Sequence, residues 1–364
     1  MYIHQKKEWP VFKWNSEEIT VILGKVRYRQ GKILGQMKAL GFKLQEETML
    51  QTLTLDVIKS SEIEGKLLNH DQVRSSIARR LGIDIAGTIK AERDVEGVVE
   101  MMLDATQNYS NDLTEDRIFG WHASLFPTGR SGMYKIIVGD WRKNLMQVTS
   151  GPMGREIVHF EAPLPDVVDQ EMQGFLKWLN STAEIDPVLK AAIGHLWFVT
   201  IHPFDDGNGR IARAVADMLL ARADQSRQRF YSMSAQIQKE RNEYYNILES
   251  TQKGDLDITP WLDWFLNCLF RSMESTDITI EKILERGQFW ESHRDKTFNV
   301  RQQKMLQALL DSFFGNLNVS KWAKMTKTST DTALRDIKDL IEKDILIQEG
   351  AGRNTSYKLK NHNF

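Results

Sequence analysis

The run His202-Pro203-Phe204-Asp205-Asp206-Gly207-Asn208-Gly209-Arg210-Ile211-Ala212-Arg213 gathers a base, carboxylates, a glycine-rich turn and two arginines. Upstream, Leu189, Ala192, Ile193, Leu196 and Val199 recur at helical spacing between Asp186 and Ile201, with Asp186 as N-cap and Pro187 as the first helical residue. Pro203 and the Asp-Asp-Gly-Asn-Gly run are expected to stop that helix, the two glycines supplying positive φ angles that other residues resist. Ile211, Val215, Met218 and Leu219 restart the period, so the loop opens a second helix. Backbone N–H groups at such a junction have no intrahelical partners and form a concave anion site, to which the helix dipole adds. A phosphate fits there.

Arg210 and Arg213 are placed at the start of the new helix, where a cation opposes the dipole by ~0.3–1 kcal/mol. Two of them at i and i+3 make sense in front of a polyanion. Asp206 would repel that polyanion unless a divalent cation joined them, and Mg²⁺ binds through one or two carboxylates plus phosphate oxygens. His202, at the mouth of the loop, carries the side chain suited to take a proton near neutral pH.

The run resembles the HPFx(D/E)GNGRxxR signature of the Fic family and matches it at every fixed position. The resemblance implies an all-α fold: a Fic-type helical core with a short β-hairpin flap. It also implies transfer of AMP from ATP to a hydroxyl side chain of a target protein. His202 would then be the general base and Asp206 the Mg²⁺ ligand. Phe204 would anchor the loop, Gly207, Asn208 and Gly209 would cradle phosphates, and Arg210 and Arg213 would hold the β- and γ-phosphates. Asp205 falls at the variable position and takes no role.

Ser60-Ser61-Glu62-Ile63-Glu64-Gly65 resembles the (S/T)xxxE(G/N) inhibitory motif of Fic proteins whose inhibitory helix precedes the core. Leu50, Leu53 and Val57 predict a helix ending at Gly65, a suitable C′ residue, with Ser60 and Glu64 sharing a face. The resemblance implies that Glu64 pairs with Arg213 and displaces the γ-phosphate, and that in some relatives this glutamate also helps remove AMP from the target.

Met146–Ser150 and Glu156–Phe160 are short β-capable runs around Gly151-Pro152-Met153-Gly154. They occupy the place of the family's flap, which aligns the target as an added strand. Lys135, after Gly132-Met133-Tyr134, stands where arginine is common in the family. Arg241-Asn242-Glu243-Tyr244-Tyr245 and Gln252-Lys253-Gly254-Asp255 resemble the helix near the adenine, with Tyr244, Tyr245 and Gln252 as base contacts. Gln252 departs from an asparagine found in some relatives, which leaves nucleotide preference open, and one of the two tyrosines reads as core.

His195 lies on the apolar stripe with Ile193 and Leu196 and reads as a packed histidine rather than a transition-metal ligand; His122 beside Trp121 likewise reads as structural. Cys268 among Leu262, Phe265, Leu266 and Leu269 reads as a buried small hydrophobe.

One cysteine in 364 residues excludes an intrachain disulfide, and a net charge of −1 argues against whole-protein attraction to nucleic acid or membrane. No apolar run approaches a membrane span, and Met1–Lys7 has no apolar signal stretch, so a cytoplasmic protein without a membrane partner is expected. Three regions are predicted. Residues 1–90 form a helical N-terminal domain carrying the inhibitory motif, residues 91–290 the catalytic core, and residues 295–364 a small domain of three helices and a hairpin. The last resembles a winged helix-turn-helix. Between Lys296 and Phe364 there are 12 Lys+Arg against 7 Asp+Glu, too small an excess to decide between DNA and protein docking. Three readings follow: a self-inhibited protein adenylyltransferase, possessing or lacking AMP removal; an enzyme that uses the same loop to move another phosphate-containing group or mainly to remove AMP; and a DNA-binding regulator. Self-association as a homodimer is left open.

Overall fold

The computed structural model describes residues 1–360 apart from 40, 86, 152–154, 183–184, 314–315, 351 and 353–354. Two compact units emerge, Met1–Thr276 and Asp277–Phe364. Residues 1–90 are packed into the first of these units. Trp9 and Phe12 set their rings edge-on to Trp197, and Lys13 exchanges backbone hydrogen bonds with Leu256 and Ile258. No described helix is long and apolar enough to cross a membrane.

The first unit holds α1 (Ser16–Ala39), α2 (Phe42–Ile63), α3 (His70–Leu81), α4 (Arg93–Gln107), α5 (Glu115–Leu125), α6 (Val168–Asn180), α7 (Pro187–Ile201), α8 (Asn208–Asp224), α9 (Met233–Lys239), α10 (Arg241–Gln252) and the start of α11 (Thr259–Ser292). Its centre is α7 packed against α8. Every residue of α7 after Pro187 is buried, because apolar side chains cover all faces of this helix rather than one stripe. Asp186 caps it by accepting the Val188 N–H and is itself held by Arg27 through two hydrogen bonds of 2.8 and 3.0 Å. α2 lies on α8, α9 and α3, which brings the Ser60–Gly65 segment to the start of α8.

Two hairpins interrupt the helices. β1 (Arg130–Ser131) pairs with β2 (Tyr134–Lys135), and β3 (Gln147–Ser150) pairs antiparallel with β4 (Ile157–Glu161). The second is the expected flap with each strand starting one residue later. A bulge falls between Val148 and Thr149. Of the expected turn, Pro152, Met153 and Gly154 lie outside the described residues.

In the second unit α12 (Val300–Ser312), α13 (Val319–Thr326) and α14 (Thr330–Glu342) are followed by the antiparallel pair β5 (Leu346–Glu349) and β6 (Ser356–Leu359). Asn299, Asn318 and Ser329 cap the three helices, as short polar side chains at these positions predict. Their common core is built on Met305, Leu306, Trp322, Ile337, Leu340 and Leu346. The expected order of three helices and a hairpin is what is observed.

Candidate active site

The loop between α7 and α8 begins with an unusual backbone step. His202 takes φ +53°, ψ +59°, while its N–H still donates to Phe198 O at the end of α7. A residue before proline is disfavoured in the right-handed helical region, so the chain reverses at His202 itself. The stop was expected at Pro203 and the glycines. The reversal brings Nδ1–H to the Val199 carbonyl at 3.1 Å. A carbonyl only accepts, so the proton sits on Nδ1 and Nε2 is the basic nitrogen. Burial lowers the ring's pKa to about 4, so at neutral pH it is uncharged and able to accept a proton.

The loop is locked from beneath. Phe204, fully buried, stacks on His122 with ring centroids 4.0 Å apart. His122 Nε2–H donates to Asp206 O at 3.1 Å, and burial lowers this imidazole's pKa to about 4. Asn208 closes a side-chain ring on the loop: its Oδ1 accepts the Phe204 N–H and its Nδ2 donates to Phe204 O. Asp205 accepts the Ile137 N–H at 2.9 Å, a role the sequence did not suggest. Arg142, fully buried, donates from Nε to His202 O, from Nη1 to Asn144 O and from Nη2 to Pro163 O at 2.8, 2.8 and 2.6 Å. One guanidinium thereby joins the base-bearing residue to both ends of the flap.

Above this support lies the anion cradle. Gly207 takes φ +87° as the N-cap of α8, and the N–H groups of Asn208, Gly209 and Arg210 find no acceptor among the described residues. Gly209 was expected to share the positive φ. It is instead helical, and its missing side chain serves a different purpose, because a methyl there would fall onto Glu64 Oε1 and lie 3.1 Å from Glu64 Cδ. Arg210 stands in the first turn of α8 and Arg213 in the second, both 2% exposed. Arg210 lies over the Phe126 ring at 5.0 Å and 4.0 Å from the Asp206 carboxylate. Its Nε, and Nη1 of Arg213, are buried without an acceptor at hydrogen-bond geometry among the described residues. Buried unmatched donors on two cations beside three open amides are the complement of a phosphate chain.

Glu64 covers that cradle. α2 ends in a Schellman turn in which Gly65, at φ +75°, donates to Glu62 O and Lys66 donates to Ser61 O. Gly65 is thus the C′ residue that the sequence predicted. Ser60 accepts from Arg213 twice, through Oγ at 2.9 Å and its carbonyl at 2.8 Å, and Glu64 Oε1 accepts from Arg213 Nη2 at 2.9 Å. Against a burial penalty, the Glu64 charge raises the pKa of the Arg213 guanidinium.

Asp206, whose side chain is 40% exposed, accepts from Gly207 N–H at 2.5 Å and from the Ser131 hydroxyl. Among the described residues no group of three or more His, Cys, Asp or Glu is placed to hold a metal ion. The donor set still suits Mg²⁺ bound with nucleotide, because that ion takes one carboxylate and completes its shell with phosphate oxygens and water.

The expected adenine contacts divide. Tyr244 is 1% exposed and its hydroxyl meets His195 Nε2 at 2.9 Å, which makes both residues core. Gln252 is buried and donates to Thr200 Oγ1. Both lie on the side of α10 that packs inward: Tyr244 is the tyrosine that belongs to the core, and Gln252 is buried away from the place expected of a base contact. Tyr245, 37% exposed, is the residue of the three that reaches the surface, with its hydroxyl donating to Ile63 O. Cys268 is buried, as expected.

Reading the sequence missed Arg142, Ser131 and Lys66. Lys66 lies over the Phe126 ring at 5.2 Å beside Arg210, and burial followed by the Arg210 charge lowers its pKa. None of these three lies in a local pattern that marks it.

Residues 112–220 match the Fic/DOC family, and residues 2–83 match a domain of unknown function, DUF4172. The protein adenylyltransferases Fic of Drosophila yakuba and Drosophila melanogaster are each 28% identical to the chain over 222 residues, 60% of this chain and 40% and 41% of theirs. The chain therefore matches about two fifths of the length of these curated relatives. Among solved structures, a Fic family protein from Desulfovibrio desulfuricans superposes with a TM-score of 0.57 at 19% identity, covering 97% of this chain and 98% of that one. Fic-1 from C. elegans superposes with a TM-score of 0.50 at 22% identity, covering 75% and 74%. These likenesses establish the fold.

Proposed function

We propose, for a chain that carries a Fic/DOC-family domain over residues 112–220, that it is a protein adenylyltransferase held in check by its own α2. The observation that carries this reading is the pairing of an uncharged, Nδ1-protonated His202 with the cradle of α8 amides and the two unmatched buried guanidiniums.

In the reaction, a hydroxyl of a target protein gives its proton to His202 Nε2 as its oxygen attacks the α-phosphorus of ATP. The bond to the bridging oxygen breaks and pyrophosphate leaves. Charge grows on the phosphate oxygens, so the amides of residues 208–210 and the guanidiniums of Arg210 and Arg213 supply most of the stabilisation. Mg²⁺, where bound at Asp206, supplies further charge neutralisation at those oxygens. The Glu64 carboxylate occupies the space over Gly209 and claims Arg213, which opposes a productive γ-phosphate. The β3–β4 flap, tied to His202 through Arg142, receives the target segment.

The C-terminal unit we read as a winged helix-turn-helix that docks protein. On α14, Asp336 is gripped by Arg301 at 2.7 and 2.9 Å, and Asp339 accepts from Gln302 and Lys343. With Arg335 and Lys338 set against Asp331, Asp336, Asp339 and Glu342, α14 offers no excess of positive charge to a phosphate backbone.

Incubating the protein and its Glu64→Gly form with Mg²⁺ and ATP, labelled in parallel at the α- or the γ-phosphorus, tests the activity. Protein-bound label is expected from the α-labelled nucleotide alone, with the mass of AMP. Label carried from the γ-position, or none from either, overturns the reading.

A further inference from the structure

The foot of the flap, the N-terminal His4 and Gln5, and the start of α6 enclose a groove of about 470 Å³. Its apolar side is formed by Leu145, Met146, Ala162, Pro163, Leu164 and Val167, of which Leu145 is 73% exposed and Leu164 58%. Large apolar side chains clustered at a surface mark an interaction site more than a scatter of single ones does. Two carboxylates complete the lining, Glu161 from the end of β4 and Glu171 from α6. Glu161 accepts from the Gln147 amide at 2.9 Å and Glu171 from the Trp9 indole at 2.9 Å. Both donors are neutral, and among the described residues no ion pair involves either acid. His4 does not compensate, since burial, then the Arg142 charge, lowers its pKa to about 4.

We propose that this groove receives a lysine or arginine side chain of the target protein, a few residues from the hydroxyl that is modified. A long aliphatic stem with a terminal cation matches an apolar side and carboxylates that have only neutral donors better than any other side chain does. The inference rests on the flap-docking reading above and names the class of target it implies. β4 leans on α10 through His159 and Glu249 at 2.7 Å, while β3 has no strand partner but β4 among the described residues. A segment added along β3 runs toward Leu145–Gln147 and the groove. Arg142 ties this site to the chemistry: its guanidinium holds Asn144 O and Pro163 O beside the groove and His202 O in the catalytic loop. A basic side chain seated here therefore sits at a set separation from the catalytic base.

The test uses the full chain in its Glu64→Gly form. Fluorescein-labelled peptides with one serine and lysine, arginine, alanine or glutamate at each neighbouring position are measured by anisotropy and, with ATP and Mg²⁺, for AMP incorporation. At one spacing the basic peptides are expected to bind about tenfold or more tightly than the glutamate ones, with the difference in KM rather than kcat and shrinking in high salt. Glu161→Arg is expected to invert the preference, and Leu164→Asp to weaken binding of every peptide; both positions are exposed. Equal binding of lysine and glutamate peptides, or a preference untouched by Glu161→Arg, overturns the proposal. A basic preference in binding without AMP incorporation into any peptide upholds the groove and counts against the adenylyltransferase reading instead.

Discussion

Asp56 on α2 and Asp217 on α8 face each other inside the protein, one helical turn beyond the Ser60–Arg213 contact, just as Glu64 and Gly209 face each other one turn before it. The two helices run antiparallel in a single register, so the end of α2 and the start of α8 meet at three levels. At the innermost level Asp217 Oδ1 accepts from Arg229 Nη2 at 2.9 Å, while its buried Oδ2 receives no hydrogen bond from an ordinary donor among the described residues and is left to face Asp56. Arg229 also serves Asp224, which accepts from Tyr231 and Gln30 as well; Asp56 takes its donors from Ser232 and Ser234.

Burial and then the Asp56 charge raise the Asp217 carboxyl well above the usual carboxylate range. A folded-state pKa above the unfolded value means that the native protein binds the extra proton, so this group's contribution is complete below about pH 4 and is lost as pH rises through the raised value. Asp217→Asn keeps the shape and offers an N–H₂ toward Asp56. Denaturant unfolding from about pH 5 to pH 8 is expected to show wild type losing stability relative to Asp217→Asn as pH rises. Parallel curves for the two proteins would show that Asp217 is ionised throughout.

His202→Ala removes the base and leaves the cradle. ATP binding is expected to stay within a few-fold, while AMP transfer in the Glu64→Gly background falls by about 10²–10⁴. Isothermal titration and mass spectrometry of the labelled protein measure the two quantities separately. The imidazole Cε1–H of wild type is expected to titrate near pH 4 by NMR, because burial depresses the ring's pKa. A midpoint near the ordinary histidine value would mean an exposed ring and a weaker case for its placement.

Glu64 and Gly209 give a double-mutant cycle. Gly209→Ala in wild type sets a methyl against the Glu64 carboxylate, and overpacking of this kind costs roughly 1–3 kcal/mol. With Glu64→Gly only Arg213 Nη1, at 3.3 Å, still crowds the methyl, and alanine in a helix is worth up to about 1 kcal/mol over glycine. The coupling, read from unfolding free energies, is expected to exceed about 1 kcal/mol. Additive effects would mean that Glu64 does not sit over Gly209 in solution.

Arg142→Ala leaves three carbonyls without their charged donor, each such hydrogen bond being worth about 1.5–3 kcal/mol. We expect a loss of several kcal/mol in stability. Arg142→Lys reaches fewer of the three and should recover part of it. In both variants kcat for AMP transfer is expected to fall more than ATP affinity, since the residue positions His202 and the flap rather than touching nucleotide. Equal losses in both would place its effect in the cradle.

The catalytic loop was legible because its parts are contiguous. Asp186 as cap, the helical course of α7, the His202–Arg213 loop and Gly65 as the C′ residue of α2 each follow from a few neighbouring residues. The hairpin strands were located to within one residue by their β-capable runs. Tyr244 and Gln252 were carried over as base contacts from a resemblance, and a resemblance names a helix without saying which of its side chains the core of this chain will cover. Gly209 was misread because a glycine can answer a demand of φ or a demand of space, and its neighbours in sequence do not tell which.

By itself the amino-acid order determined which segments turn, cap and coil, and which charged groups ride on the loop after α7, since those depend on interactions a few bonds long. Only the tertiary structure decided that α2 lies along α8 in the register that sets Glu64 over Gly209, Ser60 against Arg213 and Asp56 against Asp217. It also decided that Arg142 reaches the His202 carbonyl across the fold. Those pairings arise from packing between segments far apart in the chain, where burial chooses the partner and no local pattern announces it.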